Sequence, residues 1–304
     1  MRYFVIVNPT SGRGLGGRSI PTIKERFTKE GKDFTLVETT KRGEAMSLAE
    51  QAVKDGYDAI VCCSGDGTIN EALNGICKAT NNGLKKPIFG VVAIGTGNDF
   101  AGGAGIGTTL EMSLESIFNG GTKTIDLGVI KGGYYPDGRY FGNGIGIGLD
   151  AAVGNQAEKI RWTRGLLAYL IGLIQTVFIY YNAPRLRINI DGRIIEQYSL
   201  MVSVMNGRRM GGGFIMTPDS KMDDGTFDIC IAETASKMRI LGLIPHFLKG
   251  SQEGQKEIQL THGNKVLIDA IEGDFPCHAD GEWICLEGKS VEVELLPNAL
   301  TIFA

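Results

Sequence analysis

The stretch that most constrains the fold of this chain is Ile60–Gly75, with the sequence IVCCSGDGTINEALNG. Its first residues, Ile60–Cys63, form an apolar run that is typical of a buried strand. The following Ser64–Thr68 contains too much glycine to continue that strand and must turn. Apolar residues then recur at helical spacing from Ile69 onward. The stretch therefore predicts a strand, a tight glycine turn and a helix.

This turn has the properties of an anion site. A strand followed by a helix directs backbone N–H groups and the positive end of the helix dipole at one point. Gly65 and Gly67 lack side chains, so a phosphate can approach the backbone closely. Asp66 would repel a bare phosphate but suits a Mg²⁺ ion bound to one. Because glycine turns are common, the stretch alone leaves nucleotide binding and an ordinary β–turn–α connection open.

Two further polar turns follow apolar runs in the first half of the chain. Asn8–Gly12 (NPTSG) comes after Tyr3–Val7, and Gly95–Ala101 (GTGNDFA) comes after Ile88–Ile94. The apolar runs alternate with segments of helical periodicity, such as the helix predicted at about Ser19–Lys29, which predicts a mostly parallel sheet covered by helices on both faces. Sheets of this kind bind ligands at the carboxyl ends of their strands. We therefore predict that these two turns and SGDGT converge on one ligand.

The pattern of the sequence changes after Lys123. Strand-like runs separated by turns dominate, Tyr140–Ile145 among them, and two long helical patterns interrupt them at about 155–182 and 236–249. This arrangement predicts a second, mainly antiparallel domain. The predicted boundaries are 1–128 for the first domain, which residues 296–304 could join, and 129–295 for the second.

Composition narrows the class of protein. The chain has 304 residues, which is long for one core, and its net charge of −3 gives no general attraction to nucleic acid. Its six cysteines lack the C-x-x-C spacing of zinc sites. The N-terminal residues MRYFVIVNP read as a strand without a cleavage signal. We therefore expect a cytoplasmic protein with no disulfide framework and no nucleic-acid partner.

The helical pattern at Trp162–Tyr181 is too short to predict a transmembrane segment. Its apolar run, LLAYLIGLIQTVFIYY, has 16 residues, whereas a spanning helix needs about 20. One interpretation is a packed core helix. The other is a helix with one face lining an apolar pocket, while Lys159, Arg161 and Arg164 contact anionic headgroups.

Two acidic segments lie in the second half of the chain. Pro218–Thr226 (PDSKMDDGT) carries Asp219, Asp223 and Asp224, which could hold a hard cation or form an acidic surface turn. Ala279–Glu282 (ADGE) reads as a hairpin turn or as the location of a general base. Neither segment decides between its two interpretations alone.

In their order along the chain, these motifs resemble the diacylglycerol kinase catalytic-domain family, which includes bacterial soluble lipid kinases and, more distantly, sphingosine and ceramide kinases. NPTSG, SGDGTINEALNG, GTGNDFA, TIDLG, PDSKMDDGT and ADGE carry the resemblance over nearly the whole chain. SGDGT alone is less specific, since phosphofructokinases and NAD kinases have similar turns. The resemblance implies an α/β nucleotide-binding domain like that of NAD kinase and diacylglycerol kinase, a C-terminal, mainly antiparallel β-sandwich, and an active site between them.

The family transfers the γ-phosphoryl group of ATP to a lipid hydroxyl, and the resemblance implies roles for matching residues. Glu282 would be the general base that takes the hydroxyl proton. Asp66, Asp99 and Asp126 would organise Mg²⁺ and the phosphates. The residues expected to contact ATP are Asn8, Pro9, Thr10, Ser11, Gly12, Thr39, Gly65, Asp66, Gly67, Thr68, Ile69, Asn70, Glu71 and Thr96.

The resemblance also implies a structural Mg²⁺ in the second domain, held by the backbone oxygens of Lys221 and Thr226 and by the Asp224 carboxylate. Two positions depart from the family pattern. Ser64 replaces the usual glycine before GDGT, and Gly102 stands where the family often has arginine. The second departure removes a candidate phosphate or headgroup contact and so bears on the substrate class.

The leading interpretation is a cytoplasmic kinase that phosphorylates diacylglycerol or a related lipid at the inner membrane surface. A kinase of another hydroxyl substrate, such as NAD or a soluble metabolite, and a nucleotide-binding regulator without turnover are the alternatives. The apolar run favours a lipid, and the intact set of acidic residues argues against the regulator. Exposed sheet edges of the second domain could pair into a homodimer, which no feature of the sequence specifies.

Overall fold

The computed structural model describes residues 1–159, 163, 166–179 and 183–304. The chain divides into two compact units. The first comprises Met1–Asp126 together with Asn298–Ala304, and the second comprises Leu127–Pro297. In the described part of the chain, no helix has both the length and the apolar character needed to cross a membrane.

The first unit alternates strands and helices. Its elements are β1 (Arg2–Val7), α1 (Ser11–Lys29), β2 (Asp33–Glu38), α2 (Glu44–Lys54), β3 (Ala59–Ser64), α3 (Asp66–Thr80), β4 (Ile88–Ala93), α4 (Asp99–Gly103) and α5 (Leu110–Asn119). The strand β5 (Thr122–Gly132) begins in this unit and continues into the second.

The second unit is dominated by strands. Its elements are β6 (Tyr135–Phe141), β7 (Gly144–Gly148), α6 (Leu149–Lys159), α7 (Leu166–Ile179), β8 (Arg185–Ile190), β9 (Arg193–Met205), β10 (Arg209–Met210), β11 (Phe214–Ile215), β12 (Phe227–Glu233), α8 (Lys237–Lys249), β13 (Ile258–Gly263), β14 (Lys265–Glu272), β15 (Phe275–Ala279), β16 (Glu282–Gly288) and the long β17 (Ser290–Phe303), whose last residues belong to the first unit.

The sheet of the first unit is parallel, as the alternation of elements predicts. β3 pairs in parallel with both β1 and β4, and β1 pairs in parallel with β2. The end of β17 joins the same sheet, where Ile302 pairs with Phe89 of β4. The strand β3 is buried along its whole length, which is typical of a parallel sheet covered on both faces. This sheet brings the carboxyl ends of β1, β2, β3 and β4 to one edge.

The sheets of the second unit are antiparallel, and β9 joins two groups of strands. The first half of β9, from Arg193 to Tyr198, pairs with β8. Its second half, from Ser199 to Met205, pairs with β12, and β7 pairs with the same half. A core of Val, Ile, Leu and Phe side chains lies among these strands. The prediction of a mainly antiparallel second domain is therefore confirmed.

Two helices begin earlier than the apolar periodicity predicts. α3 starts at Asp66 rather than at Ile69, so the glycine turn shrinks to little more than Gly65. α1 starts at Ser11, and its backbone is left-handed from Gly12 to Gly14 before the regular helix continues. Both first turns lack apolar residues because they lie at the polar edge of the sheet. The apolar pattern marks only the helical turns that face the core, so it does not show where these two helices begin.

The helical pattern at 155–182 is divided into two helices, α6 and α7, so its prediction as one element is wrong. Helix α7 leaves Leu167, Ile174 and Phe178 about half exposed, at spacings that place them on one face. The predicted headgroup contacts Arg161 and Arg164 lie outside the described residues, as does the side chain of Lys159.

The predicted strand Tyr140–Ile145 is also wrong as one element, since β6 ends at Phe141 and β7 begins at Gly144. Between them, the backbone N–H groups of Gly142 and Asn143 donate to the Asp280 carboxylate. A side chain distant in sequence therefore takes the place of a ladder partner and bends the chain.

All six cysteines are buried and reduced. Burial raises the pKa of the Cys77 and Cys230 thiols to about 12, so both stay neutral at pH 7. Cys62 and Cys63 lie inside β3 with no exposed surface. These cysteines pack as small apolar residues.

Helices α2 and α3 approach each other closely at Gly75. A Cβ added there would lie 2.1 Å from the Met46 carbonyl oxygen and 3.0 Å from Ala49 Cβ. We therefore expect Gly75→Ala to lower the free energy of unfolding by about 1–3 kcal/mol, the usual cost of overpacking, despite the better helix propensity of alanine. Urea denaturation would measure this loss.

Gly102→Ala is the matched control, because a Cβ at this helical glycine would meet no described atom within 4 Å. Its stability should be unchanged or slightly higher. Equal stability of the Gly75 and Gly102 variants would contradict a close approach of the two helices at Gly75.

Candidate functional site

Three polar turns of the first unit lie side by side at the carboxyl edge of its sheet. They follow β1, β3 and β4, which are neighbouring parallel strands. The backbone N–H of Asn8, after β1, donates to the Cys63 carbonyl of β3 at 3.2 Å, and the Ile94 N–H donates to the Ser64 carbonyl at 3.0 Å. The sequence motifs NPTSG, SGDGT and GTGND therefore meet in one place.

Glycine is required where these turns touch. A Cβ on Gly95 would lie 2.4 Å from Gly65 Cα, and a Cβ on Gly12 would lie 2.3 Å from the Ile94 carbonyl oxygen. Gly12 also has a φ of +56°, which residues with side chains rarely adopt. The turns thus form a cradle of partly exposed backbone, and no side chain projects into it from Gly12, Gly65 or Gly95.

Asn8 links two of the turns through its side chain. Its Nδ2 donates to Thr68 Oγ1 at 2.9 Å, and its Oδ1 accepts from the backbone N–H and the hydroxyl of Thr10, at 3.0 and 2.8 Å. Thr68 belongs to the first turn of α3, so the carboxamide fixes the NPTSG turn against that helix.

The start of α3 gives the cradle a positive end. Gly65 is the N-cap residue, and the first intrahelical hydrogen bond of the helix runs from the Ile69 N–H to the Gly65 carbonyl. The amides of Gly67 and Thr68 come before it, in the first turn, where N–H groups have no carbonyl of their own helix to bind. Such amides and the helix dipole favour a phosphate group at this point.

The side chain of Asp66 contacts the segment that carries Asp99. Asp66 Oδ1 accepts the backbone N–H of Phe100 at 3.0 Å, and Phe100 directly follows Asp99 at the start of α4. Asp126 is buried, and its Oδ1 accepts the Asn298 N–H at 2.7 Å, which ties β5 to β17. The structure thus places the Asp66 carboxylate against the backbone next to Asp99, while the Asp126 carboxylate has a partner on another strand.

The remaining residues expected at ATP differ in exposure. Thr96 is exposed in the GTGND turn, whereas Thr39 is buried and its N–H donates to the Val7 carbonyl at 2.8 Å. Glu71 Oε1 accepts the Gly43 N–H at 2.8 Å and so joins α3 to the turn after β2. Pro9, Thr10 and Ser11 are partly or fully exposed, while Ile69 and Asn70 are buried.

In the second unit, Glu282 occupies a defined position on a hairpin. It is the first residue of β16, pairs with Ala279 of β15 and is partly exposed. Asp280 and Gly281 connect the two strands and both have positive φ, at 47° and 81°. Two central residues of this kind form the tight turn that matches the twist of a hairpin. The interpretation of ADGE as a hairpin turn is therefore correct, and the partly exposed Glu282 carboxylate directly follows the turn.

The acidic loop of the second unit concentrates oxygen atoms. The Thr226 N–H donates to Asp224 Oδ1 at 3.3 Å, and Lys221 and Asp224 are exposed. Burial raises the pKa of Asp228, and the negative charges of Asp224 and Asp219 raise it further. Carboxylate and carbonyl oxygens are the ligands that Mg²⁺ takes, and a cation here would offset the crowded charge.

Among the described residues, no group of three or more His, Cys, Asp or Glu side chains is arranged to hold a metal ion. A cation at this loop would therefore need backbone carbonyl oxygens in addition to the Asp224 carboxylate.

Two side chains that organise these turns were missed in the sequence. Asn98 has a φ of +55°, and its Oδ1 accepts the Gly95 N–H at 2.9 Å, which shapes the GTGND turn. The tolerance of asparagine for left-handed backbone was the available signal. Asp280 fixes the hairpin that carries Glu282, and its Asp-Gly sequence was the corresponding signal.

Comparison with known proteins bears on the family and the fold of the chain. The family model of the diacylglycerol kinase catalytic domain matches residues 2–130, and that of the YegS C-terminal NAD kinase beta sandwich-like domain matches 143–304. The chain belongs to the diacylglycerol kinase catalytic-domain family. The α/β first unit and the β-sandwich character of the second are thereby confirmed.

Relatives cover almost the whole chain. A diacylglycerol kinase of Bacillus subtilis is 29% identical, over 93% of this chain and 90% of its own length. One from Mycobacterium tuberculosis is 28% identical, over 98% and 93% respectively. The crystal structure of a diacylglycerol kinase from Bacillus anthracis matches with a TM-score of 0.75 at 22% identity, covering 99% of this chain and 96% of that one. Membership of this family supports the assignment of the chain as a kinase, which is a transferase. It supports a lipid kinase at the level of the family.

The contact of Gly95 with Gly65 yields a test of the cradle. Because a Cβ at Gly95 would collide with the Gly65 backbone, we expect Gly95→Ala to weaken ATP binding at least about tenfold, or about 1.4 kcal/mol. Isothermal titration calorimetry on the folded variant would measure the loss. Gly121→Ala, which meets no described atom within 4 Å, should bind ATP as the wild type does. Unchanged affinity in Gly95→Ala would mean that the turns do not form the nucleotide site.

Proposed function

We propose that this protein is an ATP-dependent lipid kinase, which transfers the γ-phosphoryl group to the hydroxyl of diacylglycerol or a related lipid. The observation that carries the proposal is the convergence of three glycine turns on the N-terminus of α3, in a chain of the diacylglycerol kinase family. The turns supply the backbone amides that a polyphosphate needs. The family supplies the class of acceptor.

In this proposal, the first unit binds and orients the phosphate donor. The amides at the start of α3 and the glycine turns contact the phosphates, while Asn8 and Asn98 hold the turns in shape. Asp66, Asp99 and Asp126 would hold Mg²⁺, which when bound would neutralise phosphate charge. Phosphoryl transfer requires positioning and charge neutralisation more than covalent chemistry, so this sparse set is sufficient.

Glu282 is the proposed general base. A carboxylate within hydrogen-bond reach of the attacking hydroxyl can accept its proton as the oxygen attacks phosphorus. The position of Glu282 beside a two-residue hairpin turn supports this role, because it leaves the side chain partly exposed on a rigid strand. As the lipid oxygen bonds to the γ-phosphorus, the bond from that phosphorus to the β–γ bridging oxygen breaks, and ADP leaves with the electron pair. The proton of the lipid hydroxyl then resides on the Glu282 carboxyl.

The apolar face of α7 supports a lipid as the acceptor. Leu167, Ile174 and Phe178 are about half exposed on this face, and the Lys237 ammonium lies 5.6 Å from the centre of the Phe178 ring. Exposed apolar residues beside a cation suit the boundary between water and a bilayer. We therefore propose a cytoplasmic enzyme that associates peripherally with the membrane in which its substrate resides.

A radiolabelled ATP assay over a panel of acceptors tests the proposal. The panel should contain diacylglycerol, sphingosine and ceramide in mixed micelles, as well as NAD in solution. Label is expected in a lipid product, with diacylglycerol as the preferred acceptor. Label in NADP alone would overturn the lipid assignment, and tight ATP binding without any labelled product would support a regulator instead.

Glu282→Ala should separate catalysis from nucleotide binding. We expect ATP affinity close to that of the wild type, and turnover lower by about 10²-fold or more, the scale of a lost general base. Glu287→Ala is the control, because Glu287 is an exposed carboxylate of the same strand, β16. Turnover equal to wild type in Glu282→Ala would remove this residue from the mechanism.

Asp224→Ala tests the proposed structural cation. A cation that binds only the folded state stabilises it, so we expect a wild-type Tm that rises with Mg²⁺ and a variant Tm that does not. Asp223→Ala, an exposed neighbour outside the proposed ligand set, is the control and should keep the Mg²⁺ response. The same Mg²⁺ dependence in Asp224→Ala and wild type would contradict the site.

A further inference from the structure

The hairpin turn that carries Glu282 is held by an unusual set of contacts to Asp280. The Asp280 carboxylate accepts three consecutive backbone N–H groups, from Gly142 at 2.8 Å and from Asn143 and Gly144 at 3.0 Å each. Hydrogen bonds that involve a carboxylate are about twice as strong as those between neutral groups. The turn is therefore attached through one side chain to the segment between β6 and β7.

Two backbone N–H groups of the same turn donate further hydrogen bonds that hold it in place. The Asp280 N–H donates to the Gly144 carbonyl at 3.0 Å. The Gly281 N–H donates to His278 Nδ1 at 3.3 Å. His278 is itself buried in β15, with its Nε2 3.8 Å from Asp150 Oδ2. The two residues before Glu282 thus have few alternative positions.

The segment that receives Asp280 is itself anchored. The N–H groups of Asn206 and Gly207 both donate to the Asn143 carbonyl at 2.8 Å, and Asn206 Nδ2 donates to the Gly142 carbonyl at 2.8 Å. Asn143 Nδ2 donates to the Arg209 carbonyl at 2.7 Å. Asn143 and Asn206 are both buried. The Asp280 carboxylate therefore connects the turn to a rigid part of the unit rather than to a loose loop.

A second hairpin of the same unit has the same kind of turn, but the residue after the turn is not a carboxylate. Asp191 and Gly192, between β8 and β9, also have positive φ, at 49° and 91°. The Asp191 carboxylate accepts the N–H groups of Asn264 and Lys265 at 2.9 and 2.8 Å, and its own N–H donates to the Lys265 carbonyl at 3.0 Å. This turn continues into the exposed Arg193, so it provides a natural comparison.

We propose that Asp280 is a positioning residue, whose carboxylate fixes the Asp280–Gly281 turn on the Gly142–Gly144 amides and thereby sets the place of Glu282. The inference rests on the proposed function, in which Glu282 is the base. A base must lie within hydrogen-bond distance of the proton it accepts, and a displacement of about 1 Å can cost about 10²-fold in rate. Asp280 acts through Glu282 and does not itself touch the substrate.

The first test compares Asp280→Asn with Asp191→Asn. Each substitution keeps the size of the side chain and replaces one carboxylate oxygen by an NH₂ group, which cannot accept a backbone N–H. For Asp280→Asn we expect kcat to fall at least about tenfold with the KM for ATP unchanged. For Asp191→Asn we expect wild-type kcat, with a smaller loss of Tm because this turn is more exposed. An equal loss of kcat in both variants, or none in Asp280→Asn, would overturn the proposal.

The second test is a double-mutant cycle with Glu282→Gln. If Asp280 acts through Glu282, adding Asp280→Asn to Glu282→Gln should change kcat less than about twofold, because the base that it positions is already absent. The same fold-loss in both backgrounds would show that Asp280 acts independently and would overturn the proposal. If Asp280→Asn does not fold, the cycle is repeated with Asp280→Glu, which keeps the charge but lengthens the side chain by one methylene group.

The failure of this inference differs from the failure of the proposed function. If Glu282→Gln retains wild-type kcat, the base assignment fails and the positioning role fails with it. If Glu282→Gln loses activity while Asp280→Asn and Asp280→Glu retain it, the base assignment stands and only the positioning role is wrong.

Discussion

The close approach of two glycine turns at the edge of the first sheet is the constraint on which the candidate nucleotide site depends. Gly65 and Gly95 follow the neighbouring strands β3 and β4, and neither could carry a side chain without moving the other's backbone. Because neither residue carries a side chain, the first turn of α3 can offer its N–H groups to an anion without obstruction from these two positions.

Side chains that bind backbone groups, rather than ion pairs, set the shape of both candidate regions. In the first unit, the side chains of Asn8, Asn98 and Asp66 each accept a backbone N–H. In the second, the Asp280 carboxylate collects three amides. Such contacts hold a turn more firmly than an exposed ion pair, which is screened by water and contributes little. Residues next to these turns are therefore held in fixed positions.

Much of the architecture could be predicted from local pattern. The apolar runs of β1, β3 and β4 and the alternation of elements predicted a parallel sheet, because strands covered on both faces need continuous apolar residues. The prediction failed where the pattern carries no information about the element. The first turns of α1 and α3 are polar, so their starts were placed too late. The bend at Gly142 depends on Asp280, which is 138 residues away in the chain.

The sequence by itself determined which turns exist and what they can bind, because glycine, asparagine and aspartate specify tight turns and oxygen ligands through local chemistry. Only the tertiary structure decided which turns meet and which acidic side chains serve as supports. Asp280 and Glu282 look alike in the sequence, yet one is occupied by backbone amides and the other begins a strand with its side chain partly exposed. Their difference arises from strand pairing between distant segments, which local propensity does not encode.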